Sequence, residues 1–435
     1  MSSRKKIILI FFGVFLFRLF FGLCESDWTN YDEIQSYLTG LKFYTTETWP
    51  YFGPDAGGAE STFHSQVPGA LEGLVIGLPL YVLPIPEAPF ILLNLLSAAG
   101  VLLLAWYIQK RIPQMSFPWL CLWIAIAPWS LHYGTQISNM SYLFFSGILF
   151  FIGFLESLPF FTMNLIPASW ANFLMGFTFF WIMQFHLSYF YLFPLAVFSL
   201  MVQLKNQRHP RALGFFIFGS LLPLAFVIPT FIQYGLGVIN SHSGFYVPFN
   251  WTNVKLIVVL LARLLSLVCF EVPVFIGVHF VTRIAFLTDH PLILVQGAFL
   301  WIAGLIQPFV LLFYWFKKDH FVPRWTETKW LMLVVFLIVY GSFWFTIKAP
   351  LSHIYYVLFP LLMIYSCYCW AFFISNSRFR ILAKVFLVFG FLFQVGYAVI
   401  MAPQDSIYPQ RGVVLKAIQE KNYHLLGERT QGDLY

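Results

Sequence analysis

Stretches of about twenty apolar residues, separated by short polar or basic breaks, recur along the chain from residue 7 to residue 401. Each is the length a helix needs to cross roughly 30 Å of hydrocarbon at about 1.5 Å per residue. Spans of this kind fall at 7–23, 88–108, 115–131, 140–158, 165–183, 187–204, 212–231, 292–316, 329–347, 354–374 and 381–401. The pattern predicts an all-α membrane protein with about 11 transmembrane helices. Two further apolar segments are interrupted by polar residues: 67–84 by Glu72, Gly73, Pro79 and Pro84, and 251–288 by Lys255, Arg263, Glu271 and Arg283. Both are expected as amphipathic helices at the outer interface. The second reads alternatively as an extra pair of spans, which leaves the later orientation unchanged.

Composition agrees with a lipid environment. The 435 residues are 60% hydrophobic, 21% aromatic and 10% charged, against roughly 25% charged in a soluble domain, so an ordinary soluble enzyme is excluded. The formal charge of +7 does not point to nucleic acid, because the Lys and Arg are scattered in small groups between apolar runs. Five such groups are Arg4 to Lys6; Lys110 and Arg111; Lys205, Arg208 and Arg211; Lys317, Lys318, Arg324 and Lys329; and Arg378, Arg380 and Lys384. With eleven crossings, and 67–84 not crossing, all five groups fall on one side, which the retention of basic loops makes the cytoplasmic one. The first span ends Phe-Gly-Leu-Cys without a small-residue cleavage site and carries Arg18, so an uncleaved helix is expected rather than a secretory signal. Cys24, Cys121, Cys269, Cys367 and Cys369 are an odd set in largely apolar surroundings and give neither a disulfide frame nor a zinc site.

This topology makes residues 1–401 one polytopic domain with two long outer loops, 24–87 and 232–290, followed by a polar outer tail, 402–435. The inner face has only short turns, and neither GxxxxGK[ST] nor GxGxxG occurs, so soluble nucleotide donors are not expected. The first loop holds nine of the eighteen acidic residues, with Lys42 as its only Lys or Arg. A solvated loop is the bland reading of that excess. Asp32 and Glu33 stand apart because they lie just beyond the first span and lead into a short helical pattern. A carboxylate there, partly desolvated by Tyr31 and Tyr37, gains the basicity for proton abstraction near neutral pH, or holds a cation. Polar residues also collect at other outer helix ends: His132, Tyr133 and Asn139; Gln184 and His186; and Lys348, Ser352, His353, Tyr355 and Tyr356. Singly, each histidine reads equally well as a hydrogen-bonded interfacial residue. Three histidine-bearing turns on one face favour a common site.

At these residues the chain resembles the GT-C class of integral-membrane glycosyltransferases, in the branch of the protein O-mannosyltransferases and the aminoarabinose transferases that modify lipid A. The resemblance runs through NYDEIQSY, HSQVPGALEGL, APWSLHYGTQISNMSYL, QFHLSYFYLFPL and SHIYYVLFPLL, in that order. It implies a GT-C-like fold and inverting transfer of a sugar from a polyprenyl-phosphate carrier to a lipid, glycan or protein acceptor. It also implies a bacterial inner membrane with the active site on the periplasmic face. The acidic residue after the first helix in that class matches Asp32, with Glu33 beside it. The leaving phosphate then needs cations or donors, for which Lys348, Arg263, Arg283 and Lys255, with His353 and Tyr356, are the outer-side candidates. Lys and Arg there also suit lipid headgroups. Two departures stand out. Where the aminoarabinose transferases place a metal-binding Glu before the interfacial helix, this chain has Gln66, with Glu60 and His64 nearby, so a divalent metal is an open expectation. The tail is also short for a soluble outer domain. A competing reading is a transporter or flippase of lipid-linked sugars, which predicts charges at mid-bilayer; few are seen within the drawn spans, with Arg18 inside the first and Glu156 near the inner end of the fourth. A structural or assembly protein is a third reading, and it leaves the acidic loop unexplained.

Overall fold

The computed structural model describes residues 3–26, 31–55, 66–205, 210–235, 247–277, 279–316, 322–403 and 407–430. In chain order the described helices are α1 (Ser3–Glu25), α2 (Tyr31–Thr46), α3 (Leu71–Val82), α4 (Ala88–Arg111), α5 (Phe117–Ile126), α6 (Pro128–His132) and α7 (Leu143–Ser157). They continue with α8 (Ala168–Met183), α9 (Tyr189–Lys205), α10 (Pro210–Leu224), α11 (Ile228–Tyr234), α12 (Trp251–Val254), α13 (Ile257–Leu265) and α14 (Val272–Ile276). The last six are α15 (Phe280–Asp289), α16 (Pro291–Trp315), α17 (Trp325–Phe343), α18 (Phe359–Phe373), α19 (Ser377–Met401) and α20 (Ile407–Gln419). The only sheet among the described residues is the antiparallel pair β1 (Phe52–Asp55) and β2 (Gln66–Pro68).

Six helical segments are long and apolar enough to cross a bilayer: α1, α4, α16, α17, α19, and Ser352–Phe373, in which a 3-10 turn leads into α18. Two bent pairs raise the number to as many as eight, α10 with α11 at 57° and Ile257–Leu265 with Cys269–Ile276 at 105°. The protein is therefore a helical, multi-pass membrane protein. Drawn spans 115–131, 140–158, 165–183 and 187–204 are occupied by α5 with α6, α7, α8 and α9, each shorter than 18 residues. Expected interfacial segment 67–84 is α3, and 251–288 is broken into α12 to α15. Side chains such as Ile8, Leu9, Phe12 and Leu16 on α1 stand outward, as a helix facing hydrocarbon requires.

The chain divides into two compact units. One gathers the described residues of Met1–Phe21, Ala98–Tyr133 and Val247–Ile400, and the other those of Gly22–Ser97, Gly134–Tyr246 and Met401–Tyr435.

In the first unit α18 is the inner helix, buried almost all round from Tyr355 to Cys369. A break at Ala127, where α5 stops and Pro128 opens α6, frees carbonyls that a continuous helix would have bonded. The fully buried Arg18 serves them: Nη2 donates to the Ser130 carbonyl at 2.6 Å and Nη1 to the Ala125 carbonyl at 3.1 Å. Gln394 Nε2 donates to the Ile126 carbonyl at 3.2 Å. The guanidinium inside α1 is thus a cap for a broken helix.

In the second unit α2 and α3 pack closely because both present glycine at the crossing. A Cβ on Gly77 would lie 2.7 Å from the Gly40 carbonyl oxygen and 2.6 Å from the Phe43 ring. Gly77→Ala is therefore expected to cost about 1–3 kcal/mol by overpacking and to lower the melting temperature in detergent. Gly214→Ala in α10, where nothing lies within 4 Å of an added Cβ, should leave it unchanged or raise it. Glu156, a second charge inside a drawn span, is used within this unit: it accepts from the Thr162 hydroxyl at 2.8 Å and from the Leu165 amide at 3.1 Å, and so fixes the turn after α7. The polar tail folds as α20, burying Ile407, Val414, Ala417 and Ile418. Its Arg411 pairs with Glu87, and the Ile407 amide donates to Ser26 Oγ at 3.1 Å.

Candidate functional site

Three carboxyl groups of the second unit, on Asp32, Glu33 and Glu72, lie on the α2–α3 pair. Asp32 and Glu33 occupy the first turn of α2, where the helix dipole favours negative charge. Asp32 is exposed and Glu33 is buried. Tyr37 is buried one turn beyond Glu33, its hydroxyl donating to the Pro86 carbonyl at 3.0 Å; the Tyr31 side chain lies outside the described residues. Ser36 follows Asp32 by four residues, so the two share a helix face, and its hydroxyl donates to Glu72 Oε1 of α3 at 2.7 Å. Glu72 is fully buried. Burial pushes its carboxyl up to about 8; the charge of Asp32 adds to the rise and the Ser36 hydrogen bond opposes it. Near neutral pH Glu72 therefore holds a proton that Asp32 makes harder to lose. Two carboxyl groups in such unequal environments divide naturally into an ionised base and a neutral acid.

β1 brings backbone against the same carboxyl group, and the turn after β2 approaches Gln184. A Cβ on Gly53 of β1 would lie 3.0 Å from the Gln184 carbonyl oxygen and 3.4 Å from Glu72 Oε2. Gly69, just after β2, has a φ of +135° and leaves the Gln184 carboxamide the space a side chain would fill. Gln184 Nε2 donates to the Pro223 carbonyl at 2.8 Å. The Tyr142 ring stacks on Phe185 at 5.1 Å, and its hydroxyl lies within electrostatic reach of Glu72. Glu72 Oε2, Gln184 Oε1, the Tyr142 hydroxyl, Asn139 Oδ1 and the Ser188 hydroxyl are all buried with no hydrogen-bond partner among the described residues. Buried polar atoms are paired in the great majority of cases, and leaving one unpaired costs roughly 1–3 kcal/mol. His186 is partly satisfied locally, Nδ1 accepting from the Ser188 amide at 3.1 Å.

Other expected residues fall in the first unit, around the turn before α18. The Trp129 indole donates to the Ser352 carbonyl at 3.1 Å, and the Tyr133 and Ser352 hydroxyls are 3.1 Å apart. The Tyr355 and Tyr356 rings lie 5.6 and 6.1 Å from Trp129, and His353 lies 6.3 Å from Tyr133. His132 stacks on Phe275 at 3.9 Å. Lys348 is exposed, and both it and Arg263 lie within electrostatic reach of His353. Arg263 is tied to Glu271 and to the Pro350 carbonyl, so part of its charge is already neutralised. Arg283 donates to the Gly277 carbonyl, and Lys255 sits at the end of α12. Among the cations expected to hold a phosphate, Lys348 is the one best placed beside the aromatic turn.

Glu60 and His64 lie outside the described residues, and among the described residues no three His, Cys, Asp or Glu side chains gather as a metal site. Sequence reasoning missed Glu72 as a site residue. Its signal was present, since a single carboxylate in the apolar run LEGLVIGLPLYV is costly to bury without a purpose. No protein-family model, no curated protein and no solved structure matches the chain.

Proposed function

We propose that the protein is an inverting glycosyltransferase of the GT-C class, moving a sugar from a polyprenyl-phosphate carrier to a lipid, glycan or protein acceptor. The observation that carries this reading is the α2–α3 cluster: exposed Asp32 beside buried, proton-bearing Glu72, with orphaned polar atoms on Gln184 and Tyr142. Such atoms suit a hydroxyl-rich ligand, which offers both donors and acceptors. Asp32, assisted by Glu33, takes the acceptor hydroxyl proton. The acceptor oxygen attacks the anomeric carbon from the face opposite the phosphate, and the carbon–oxygen bond to the carrier breaks with its electron pair leaving on polyprenyl phosphate. The negative charge that grows on the leaving phosphate calls for cations or donors, the part that the sequence resemblance gives to Lys348, His353 and Tyr356.

The same proposal includes the eleven-span topology. Helices α5, α7, α8 and α9 hold 10, 15, 16 and 17 residues, about 15–26 Å of helix, and adjoining turns complete each crossing. It places α2, α3 and the turn before α18 at the periplasmic face of a bacterial inner membrane. The transporter reading loses support because Arg18 and Glu156 are both bonded to neighbouring backbone.

Purified protein in detergent, given a polyprenyl-phosphate sugar and a cell-envelope lipid extract, is expected to yield glycosylated product. Sugar flux across sealed vesicles with no product would replace the enzyme by the carrier. Cysteine labelling that put residues 32 and 353 on opposite sides of the membrane would end the proposal.

A further inference from the structure

A cavity of about 370 Å³ in the first unit, lined from α5, α16, α18 and α19, takes no part in the proposed transfer. Its size lies within the range of small-molecule pockets, roughly 300–1,000 Å³. The inner walls are apolar, with Trp123, Leu300, Ile306 and Leu387. Its other end is cationic. Arg380 and Lys384 lie four residues apart on α19, on one helix face, and both are exposed. Neither forms an ion pair among the described residues, and the Lys384 ammonium lies 5.2 Å from the Trp119 ring.

Two further features favour an anion at that end. Ser116 lines the cavity and is the N-cap of α5, yet its side chain makes no capping bond, so the positive end of that helix keeps unused donors. Trp370 also lines the cavity, and its indole Nε1–H is buried without an acceptor among the described residues. From Arg380 to Leu387 the wall passes from charge to hydrocarbon over about 10 Å of helix, which is the polarity gradient of an amphiphile.

We propose that this cavity binds an anionic phospholipid, its phosphodiester held by Arg380 and Lys384 and one acyl chain lying against Trp123, Leu300 and Leu387. The lipid is held from the membrane leaflet that the basic end of α19 faces, and it neutralises two cations that carry no carboxylate partner among the described residues.

The test uses the full chain in nanodiscs of phosphatidylcholine with increasing phosphatidylglycerol, read by thermal unfolding and by native mass spectrometry of retained lipid. Wild-type protein is expected to melt higher as phosphatidylglycerol rises and to retain it through purification. The double variant Arg380→Gln/Lys384→Gln should retain roughly tenfold less or lower, since each cation near an anionic surface contributes substantially to binding. Ala303→Trp, which fills the apolar end, should also lose the retained lipid while both cations stay in place. Equal stabilisation by pure phosphatidylcholine, or undiminished retention in both variants, would overturn the proposal. The same shift with inorganic phosphate alone would overturn it too, by removing the role of the chain.

Discussion

Asp32→Asn is expected to lower sugar transfer by about 10²–10⁴-fold, the usual contribution of a positioned general base, while leaving the protein folded. The substitution keeps size and hydrogen-bonding capacity and removes only the ability to accept a proton. Asp32 is exposed at the start of α2, so its loss opens no cavity. The effect should fall on kcat, because the proton moves in the transition state and substrate binding precedes it. Glu33→Gln is expected to reduce transfer as well; Glu33 is buried, so melting temperature must be measured beside activity. Unchanged transfer in both variants, with intact folding, would remove the catalytic assignment. Loss in Asp32→Asn but not in Glu33→Gln would locate the base at Asp32.

Replacing Glu72 should change the pH dependence of stability more than any other single substitution in the second unit. Its carboxyl is held at about 8 in the fold against 4.5 for the free group. Below about 4.5 both folded and unfolded chains keep this proton and stability is complete. Between 4.5 and about 8 the unfolded chain releases the proton while the folded one retains it, so stability falls by roughly 1.4 kcal/mol per pH unit. Above about 8 the folded carboxyl ionises too and the loss levels off. Glu72→Gln removes the titration and keeps an acceptor for the Ser36 hydroxyl. The variant should match wild type near pH 5 and melt several degrees higher near pH 8. Parallel melting curves from pH 5 to pH 9 would show that Glu72 titrates normally. If Glu72 serves as the neutral acid of the pair, transfer by wild type should also decline above about pH 8, with that decline absent in the variant.

Hydropathy alone located the helices that are apolar over their full length. Spans drawn at 7–23, 88–108, 292–316 and 381–401 coincide with α1, α4, α16 and α19, because one helix of that length buries its own backbone polar groups wherever it lies. Boundaries failed where proline interrupts an apolar run. Pro128 splits the third drawn span into α5 and α6, and Pro223 lies one residue before the end of α10, ahead of the 57° bend. Apolar content is blind to such breaks, since proline alters hydrogen bonding rather than hydrophobicity. The candidate carboxylates at the start of α2 were legible as a local anomaly. Their link to Glu72 was not, because the Ser36–Glu72 bond joins residues thirty-six apart and depends on the close approach of Gly40 and Gly77. Its charges mark the tail as polar. Its apolar positions at Ile407, Val414 and Ile418 recur at intervals of seven and four, a helical stripe that net polarity conceals.

The clasp of α20 on residues Ser26 and Glu87 carries a consequence for biogenesis. Domains ordinarily consolidate from the N-terminus while synthesis proceeds, yet here the segment bearing Asp32 receives its last packing partner only after some four hundred residues have been made. Until then the surface that α20 comes to cover, with Ser26 and Glu87 on it, stays open to insertion factors, proteases and neighbouring nascent chains. Maturation of the acidic unit is in this sense a late, whole-chain event, and a bulky fusion at the C-terminus would be felt at the opposite end of the polypeptide.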